Sequence, residues 1–436
     1  MSNKESPSGK IGLWTSTALV IGNMIGSGVF LLPASLAVYG GISLLGWVGS
    51  SIGAIALALL FSNLSKIIPN AVGGPYAYTH EGLGEFAGFI VAWGYWISIW
   101  CTNAAIAVTF VSYLTVFIPV LATNSLLSVC TGLGAVWLLT WINSIGVKET
   151  GMVQLVTTIL KLTPLILISV VGLFYMDFSN YVPLNVSEGS DFAAITASAT
   201  LTLFAFQGLE SATVPSANIE SPEKTIPRAT MIGTIVTMLV YVLGSAAVMG
   251  MIPPAELQQS NAPYADAAAI IWGEGARKWV AFGALVSAFG ALNGWILLQG
   301  QIPMAAAQDK MFPEIFRKVN KRGLPVTALV VSSTLISALT MMRFSRGLTD
   351  TFTFMILLTT VCVLVAYLFS AAAYGMILLR HPEWKEHPGK LAIAAVAFGY
   401  SIWAVVGTTQ DAVYWGFLAI LVGIPFFVWM KRVRNE

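Results

Sequence analysis

Only two ionisable side chains fall at the middle of long apolar stretches of this sequence: Lys161, in VQLVTTILKLTPLILI, and Glu210, in TLFAFQGLESA. A charge at the centre of a membrane costs roughly 2.5–3.5 kcal/mol on insertion scales, so each marks a functional site by default. The chemistry open to them is limited. A lysine there can brace backbone carbonyls or exchange a proton if burial lowers its pKa. A carboxyl there can carry a proton, or be held neutral as a purely structural hydrogen-bonding group. Glu210 comes three residues after Gln207, the start of an interruption at Gln207-Gly208, which favours a gate or proton-sensing role.

A second interruption matches the first. The stretch GNMIGSGVF, residues 22–30, places Gly26-Ser27-Gly28 inside the first apolar run. Unwound backbone in a membrane persists only where it lines a cavity or meets a ligand. Paired broken helices in corresponding positions are the sequence mark of inverted-repeat transporters. The N–H groups of Ser27, Gly28 and Val29 would open the outer half-helix with a positive dipole end suited to a carboxylate. Carbonyls ending the inner half of the first span and the first half of the sixth would face an ammonium. Together they describe a site for a zwitterion. Close helix packing is the alternative use of Gly26 and Gly28. A phosphate-binding loop does not fit, since no Lys-Ser/Thr follows and no strand precedes.

The elements that must carry these breaks follow from composition. The chain has 436 residues, 56% hydrophobic and 10% charged, against roughly a quarter charged in soluble proteins. Windows of ~20 apolar residues predict twelve membrane spans, near 12–36, 42–64, 86–117, 124–144, 152–175, 192–216, 229–250, 278–306, 324–342, 350–379, 391–408 and 412–430. The expected fold class is an all-α integral membrane protein with a five-plus-five inverted repeat and breaks in helices 1 and 6. Its divisions are a cytoplasmic tail 1–11, a transport core 12–379 (first repeat 12–175, second 192–379), helices 11 and 12 over 380–430, and a tail 431–436.

Most of the 22 Lys and Arg lie in segments that share one side if the N-terminus is inside, among them Lys66, Lys224, Arg228, Arg317, Lys318, Lys321, Arg322, Lys431 and Arg432. The positive-inside rule then puts both termini in the cytoplasm of a bacterial inner membrane. The polar start without a cleavage site reads as a retained first helix. Cys101, Cys130 and Cys362 fall in spans at unrelated spacings, which excludes a metal cluster and disfavours disulfides. His381 and His387, in HPEWKEHP, read as loop residues. Nothing in the basic clusters suggests nucleic acid, and no cofactor motif or catalytic constellation is present.

GNMIGSGVFLLPASLAVYGG, PNAVGGPYAY at 69–78, FAFQGLESA at 204–212 with SPEKTIPRAT, and IPMAAAQDKMFPEIFRKVN at 302–320 resemble the amino acid–polyamine–organocation transporters, most nearly the bacterial arginine/agmatine antiporters. That resemblance runs almost end to end and implies the same inverted-repeat fold, with a homodimer as the family's assembly. It assigns the substrate carboxylate to Ser27 and Gly28 and the α-ammonium to the carbonyls of Met24, Phe204 and Gln207, beside Gly208. Around the side chain it implies Ser98, Asn103, Trp295 and Thr359, with Tyr95, Tyr367 and Glu210 at a gate. Phe204 and Gln207 depart from that pattern, which has tryptophan and isoleucine there. Lys161 departs too, matching instead the fifth-helix lysine of proton-coupled and heteromeric relatives; it would act as a strut or a proton carrier. Asn103 and Trp295 suit a guanidinium or amine and would also suit a neutral polar side chain.

The implied activity is amino-acid or amino acid/amine antiport by alternating access, with the lipid bilayer as the surrounding partner. Proton-coupled uptake is the alternative. A channel would need repeated selectivity rings and an enzyme a convergent acid, base or metal constellation; the sequence shows neither.

Overall fold

The computed structural model describes residues 11–26, 28–69, 73–146, 151–214, 216, 219–342, 347–380 and 388–435, without the side chains of 151–157, 160, 161 and 433–435. The regular elements among the described residues are all helices, save one parallel bridge between Ile11 and Ile219. The main helices in chain order are α1 Leu13–Met24, α2 Gly28–Leu36, α3 Ser43–Ile67, α4 Pro75–Leu83, α5 Glu85–Leu114, α6 Ser125–Ile145, α7 Gly151–Gly172 and α8 Asp191–Leu203. They continue as α9 Pro222–Met251, α10 Pro263–Trp272, α11 Glu274–Gln308, α12 Val326–Met342, α13 Leu348–Arg380, α14 Pro388–Val406 and α15 Gln410–Asn435.

Local chemistry sets many of these ends. Asn124 Oδ1 accepts from Leu127 N at 3.0 Å and caps α6; Ser190 Oγ does the same for α8 through Ala193 N at 3.3 Å. Both use a short polar side chain to satisfy an otherwise unpaired first-turn N–H. Pro75, Pro222 and Pro263 open α4, α9 and α10, where their missing N–H costs nothing.

Ten described stretches are long and apolar enough to cross a membrane, and two shorter apolar helices, Leu162–Tyr175 and Val326–Met342, fall where further spans are expected. Packing grades strongly among them. Over an 18-residue apolar window, 94% of the residues of the first stretch, Leu13–Leu36, are buried within the protein, against 17% in Gln410–Arg432. On α15 the side chains of Tyr414, Phe417, Val422 and Trp429 point outward, an arrangement stable against lipid and costly against water. The centre belongs to α5, which packs against α11 and α13, while α1 lies against α7 and α9. The broken first span is therefore enclosed by protein on nearly every side.

Candidate functional site

The first break is a gap of three residues between two helices. Ile25 N still bonds Ile21 O at 2.7 Å, Gly26 N turns back to Met24 O at 3.0 Å, and α2 begins at Gly28. Gly26 is required by contact: a Cβ there would stand 2.8 Å from Ala291 Cβ. Ser27 lies outside the described residues. As the start of α2, Gly28 and the residues after it have N–H groups without partners inside the helix.

The second break follows α8. The helix tightens into a 3-10 turn over Phe204–Phe206, Gln207 becomes extended, and Gly208 takes φ +99°. Beyond it the described chain runs in turns and a 3-10 turn, Ser211–Thr213, before α9. The sixth apolar run, expected near 192–216, is thus α-helical only in its first part. The left-handed Gly208 redirects the chain, and successive three-residue turns take over its hydrogen bonding: Ser211 N to Gly208 O at 2.9 Å and Thr213 N to Glu210 O at 2.8 Å.

The two breaks touch. A Cβ on Gly208 would lie 3.3 Å from both the carbonyl carbon and Cβ of Asn23. Between them is a cavity of ≈ 10 Å³ walled by Asn23, Met24, Gly26, Thr102, Ile106, Phe204, Gln207 and Trp295. That is room for about one water molecule. A larger cavity, ≈ 110 Å³, lies away from the breaks among α5, α6 and α13, with Ala107, Val111, Ser128, Gly132, Leu348 and Thr351 in its wall. Its wall contains no ionisable side chain and does not include either break.

Neighbouring helices brace the first break. Tyr241 Oη on α9 donates to Met24 O at 2.5 Å, and Trp295 Nε1 on α11 donates to Asn23 O at 3.1 Å. Gly294, just before that tryptophan, allows the approach: a Cβ there would meet Asn23 Oδ1 at 3.3 Å. Trp295 therefore braces a carbonyl with its edge while its ring forms part of the cavity wall.

Glu210 is fully buried and held at both oxygens. Tyr95 Oη donates to Oε1 at 2.7 Å and Tyr367 Oη to Oε2 at 2.9 Å. One tyrosine comes from α5 and the other from α13, so this carboxyl ties the second break to two of the longest helices.

The remaining expected residues divide. Met24, Phe204, Gln207 and Trp295 meet at the cavity, and Ser98 is reached through Gln207 Nε2 at 3.5 Å. Gln207 Oε1 also accepts from Thr102 Oγ1 at 3.4 Å. Asn103 is turned toward Gln299 on α11. Thr359 is buried on α13 with its hydroxyl unpartnered. Lys161 has its backbone in α7, and its side chain lies outside the described ones. Thr158, one turn earlier, donates to Ala18 O at 3.3 Å, so α7 does contact α1 there. His381 and His387 lie outside the described residues.

Four site residues escaped the sequence reading: Asn23, Thr102, Ile106 and Tyr241. Asn23 is the next-to-last residue of α1 before the break, and Thr102 adjoins Asn103, so both were within reach of a stricter helical-face count. Tyr241 continues a polar stripe, Thr230, Thr234, Thr237, Tyr241 and Ser245, spaced by three or four residues on one face of α9.

Two tyrosine contacts tie neighbouring elements together. Tyr113 Oη donates to Phe30 O on α2 at 2.9 Å, and Phe30 packs edge-on against Tyr113 and Tyr264. Tyr76 Oη on α4 donates to Asp309 Oδ2 at 2.9 Å. Burial, helped by the Asp309 carboxylate, pushes the Tyr76 phenol well above its ordinary pKa, so it remains a donor.

A family model described as amino acid permease matches residues 11–429. This chain belongs to that family. The permease is 37% identical over 337 residues to the cadaverine/lysine antiporter of Escherichia coli strain K12, covering 76% of this chain and 74% of that one. It is 32% identical to the arginine/ornithine antiporter of Pseudomonas aeruginosa, covering 99% and 92%. The putrescine transporter of Haemophilus influenzae is 30% identical, with 95% and 96% covered.

Proposed function

We propose that this permease is a secondary antiporter of amino acids or amines, working by alternating access in a bacterial inner membrane with both termini cytoplasmic. The observation that carries the reading is the contact of the two breaks, Gly208 against Asn23, around one small cavity. A substrate carboxylate would take the N–H groups that open α2 at Ser27 and Gly28, and an α-ammonium would take the carbonyls of Met24, Phe204 and Gln207. Ser98, Asn103, Trp295 and Thr359 would meet the side chain. With room for about one water, the cavity admits such a ligand only if one break moves away from the other. Rocking of the bundle carrying the breaks would provide that movement and expose the site to one side at a time.

The ten long apolar stretches and the two shorter ones support twelve spans, in two repeats, 12–175 and 192–379, followed by a terminal pair over 380–430. The outward apolar face of α15 suits lipid or the second copy of a homodimer. The names of the relatives, all antiporters or transporters of basic amino acids and diamines, support substrates of that class.

Proton-coupled uptake is a second reading, favoured by the buried Glu210 between Tyr95 and Tyr367. Counterflow into preloaded proteoliposomes separates the two: antiport requires internal substrate, whereas a symporter fills empty vesicles under a proton gradient. A thermal-stability screen against the twenty amino acids and common amines tests the site itself. A ligand at 100 times its Kd adds ~2.7 kcal/mol; stabilisation by no molecule carrying an amine would refute the assignment.

A further inference from the structure

Gln299 lies one turn beyond Trp295 on α11, roughly 6 Å along the axis, and is fully buried. Asn103 Nδ2, from α5, donates to Gln299 Oε1 at 2.7 Å. The amide nitrogen of Gln299 donates to Ser333 Oγ at 2.8 Å and to the Leu329 carbonyl at 3.4 Å, both on α12. A backbone carbonyl only accepts, so Gln299 must turn its nitrogen toward α12 and its oxygen toward α5. That choice propagates. An oxygen facing Asn103 demands the amide nitrogen of Asn103 in return. The other end of that amide, Asn103 Oδ1, is then a buried acceptor with no hydrogen-bond partner. An asparagine free to turn would offer a ligand either end of its amide; this one has its nitrogen end held by Gln299 and its oxygen left unpaired.

The position suits a side-chain subsite. Asn103 follows Thr102 and precedes Ile106 on α5, and both of those residues wall the cavity, as does Trp295 on the facing helix. A side chain passing the Trp295 ring would reach the amide pair next. There an ammonium or guanidinium would supply the missing donor. A tip with acceptors only would set oxygen against oxygen and leave Asn103 Oδ1 unpaired.

We propose that Gln299 is a positioning residue for specificity: by fixing the Asn103 amide with its oxygen free, it makes the permease select side chains that end in hydrogen-bond donors over neutral ones that end in acceptors. The inference rests on the antiporter reading above and narrows its substrate class. Ser333 supports it at second hand, since its hydroxyl also meets Thr140 Oγ1 at 2.6 Å and anchors the Gln299 nitrogen end to α6.

The test compares binding of ornithine and glutamate γ-methyl ester, similar in length but ending in donors and acceptors respectively. Purified wild type, Gln299→Leu and Gln299→Glu are measured side by side. Leucine frees the Asn103 amide to turn; glutamate still presents an oxygen to Asn103 Nδ2. The expected wild-type preference for ornithine falls roughly tenfold in Gln299→Leu and survives in Gln299→Glu. A Gln299→Leu ratio within twofold of wild type overturns the inference, as does loss of the preference in Gln299→Glu. If Gln299→Leu does not fold, Asn103→Leu removes the acceptor itself, and a retained preference there is equally fatal. Should wild type bind no amino acid or amine at all, the antiporter reading has failed instead.

Discussion

The two breaks are made of similar residues and held in different ways. At the first, the exposed carbonyls of Asn23 and Met24 are satisfied from outside, by Trp295 and Tyr241 on two other helices. At the second, the backbone forms its own three-residue turns around Gly208, and helices outside reach the side chains of Gln207 and Glu210. The first break is a strap fastened to a scaffold; the second closes its own backbone bonds and is tied outward by two side chains, Gln207 and Glu210. If the bundle rocks, the first break should yield where α9 and α11 release it, and the second where Glu210 changes partners.

That contrast can be broken by mutation. The largest effect is expected at Gly208→Val, since a β-branched residue at φ +99° costs ~1–3 kcal/mol in strain and pushes Asn23 away. Transport should fall by roughly 100-fold, in line with a misplacement of about 1 Å at a reacting or binding centre; uptake near the wild-type level would show that the contact between breaks is dispensable. Glu210→Gln comes next. The amide is isosteric and can still meet both tyrosines, so the protein should fold, yet the pH dependence of uptake should flatten. Superimposable pH profiles for the two proteins would remove Glu210 from the mechanism.

Smaller effects distinguish the two breaks. Tyr241→Phe deletes one hydrogen bond worth ~1 kcal/mol, which predicts about fivefold weaker substrate binding. Hydrogen exchange should rise in the peptide spanning Met24 and stay constant in the one spanning Gln207; a rise in both would mean the breaks share one support. Cys130→Ser, at an exposed position on α6, should leave uptake and stability within about 0.5 kcal/mol of wild type, and a larger change would point to an unrecognised contact on that face.

An all-helical membrane fold was legible in the sequence from its long apolar runs, and glycines stand where the helical hydrogen bonding stops, at Gly26 and Gly208. Helix bounds were legible too: the run expected at 86–117 is a helix at Glu85–Leu114, and that at 350–379 is one at Leu348–Arg380. What holds the first break was not. Tyr241 lies 217 residues from Met24, and Trp295 lies 272 from Asn23, so no local pattern joins them. Trp295 was expected through its ring face, and its N–H brace depends on Gly294 letting α11 approach α1. The hydrogen bond from Asn103 to Gln299 was equally out of reach, since the two are 196 residues apart and the Gln299 amide looks unremarkable in sequence. The turns beyond Gly208 were missed because apolar content persists there after helical hydrogen bonding has ended.

The central claim is that the two breaks form one backbone site for an amino group and a carboxylate. Counterflow of a basic amino acid into preloaded proteoliposomes, compared between wild type and Gly28→Leu, tests it most directly. A leucine at the first residue of α2 would fill the space where backbone meets carboxylate, while a helical leucine leaves folding intact. The account predicts rapid exchange in wild type and none above background in a folded Gly28→Leu protein; exchange at wild-type rate and affinity in that variant would contradict it.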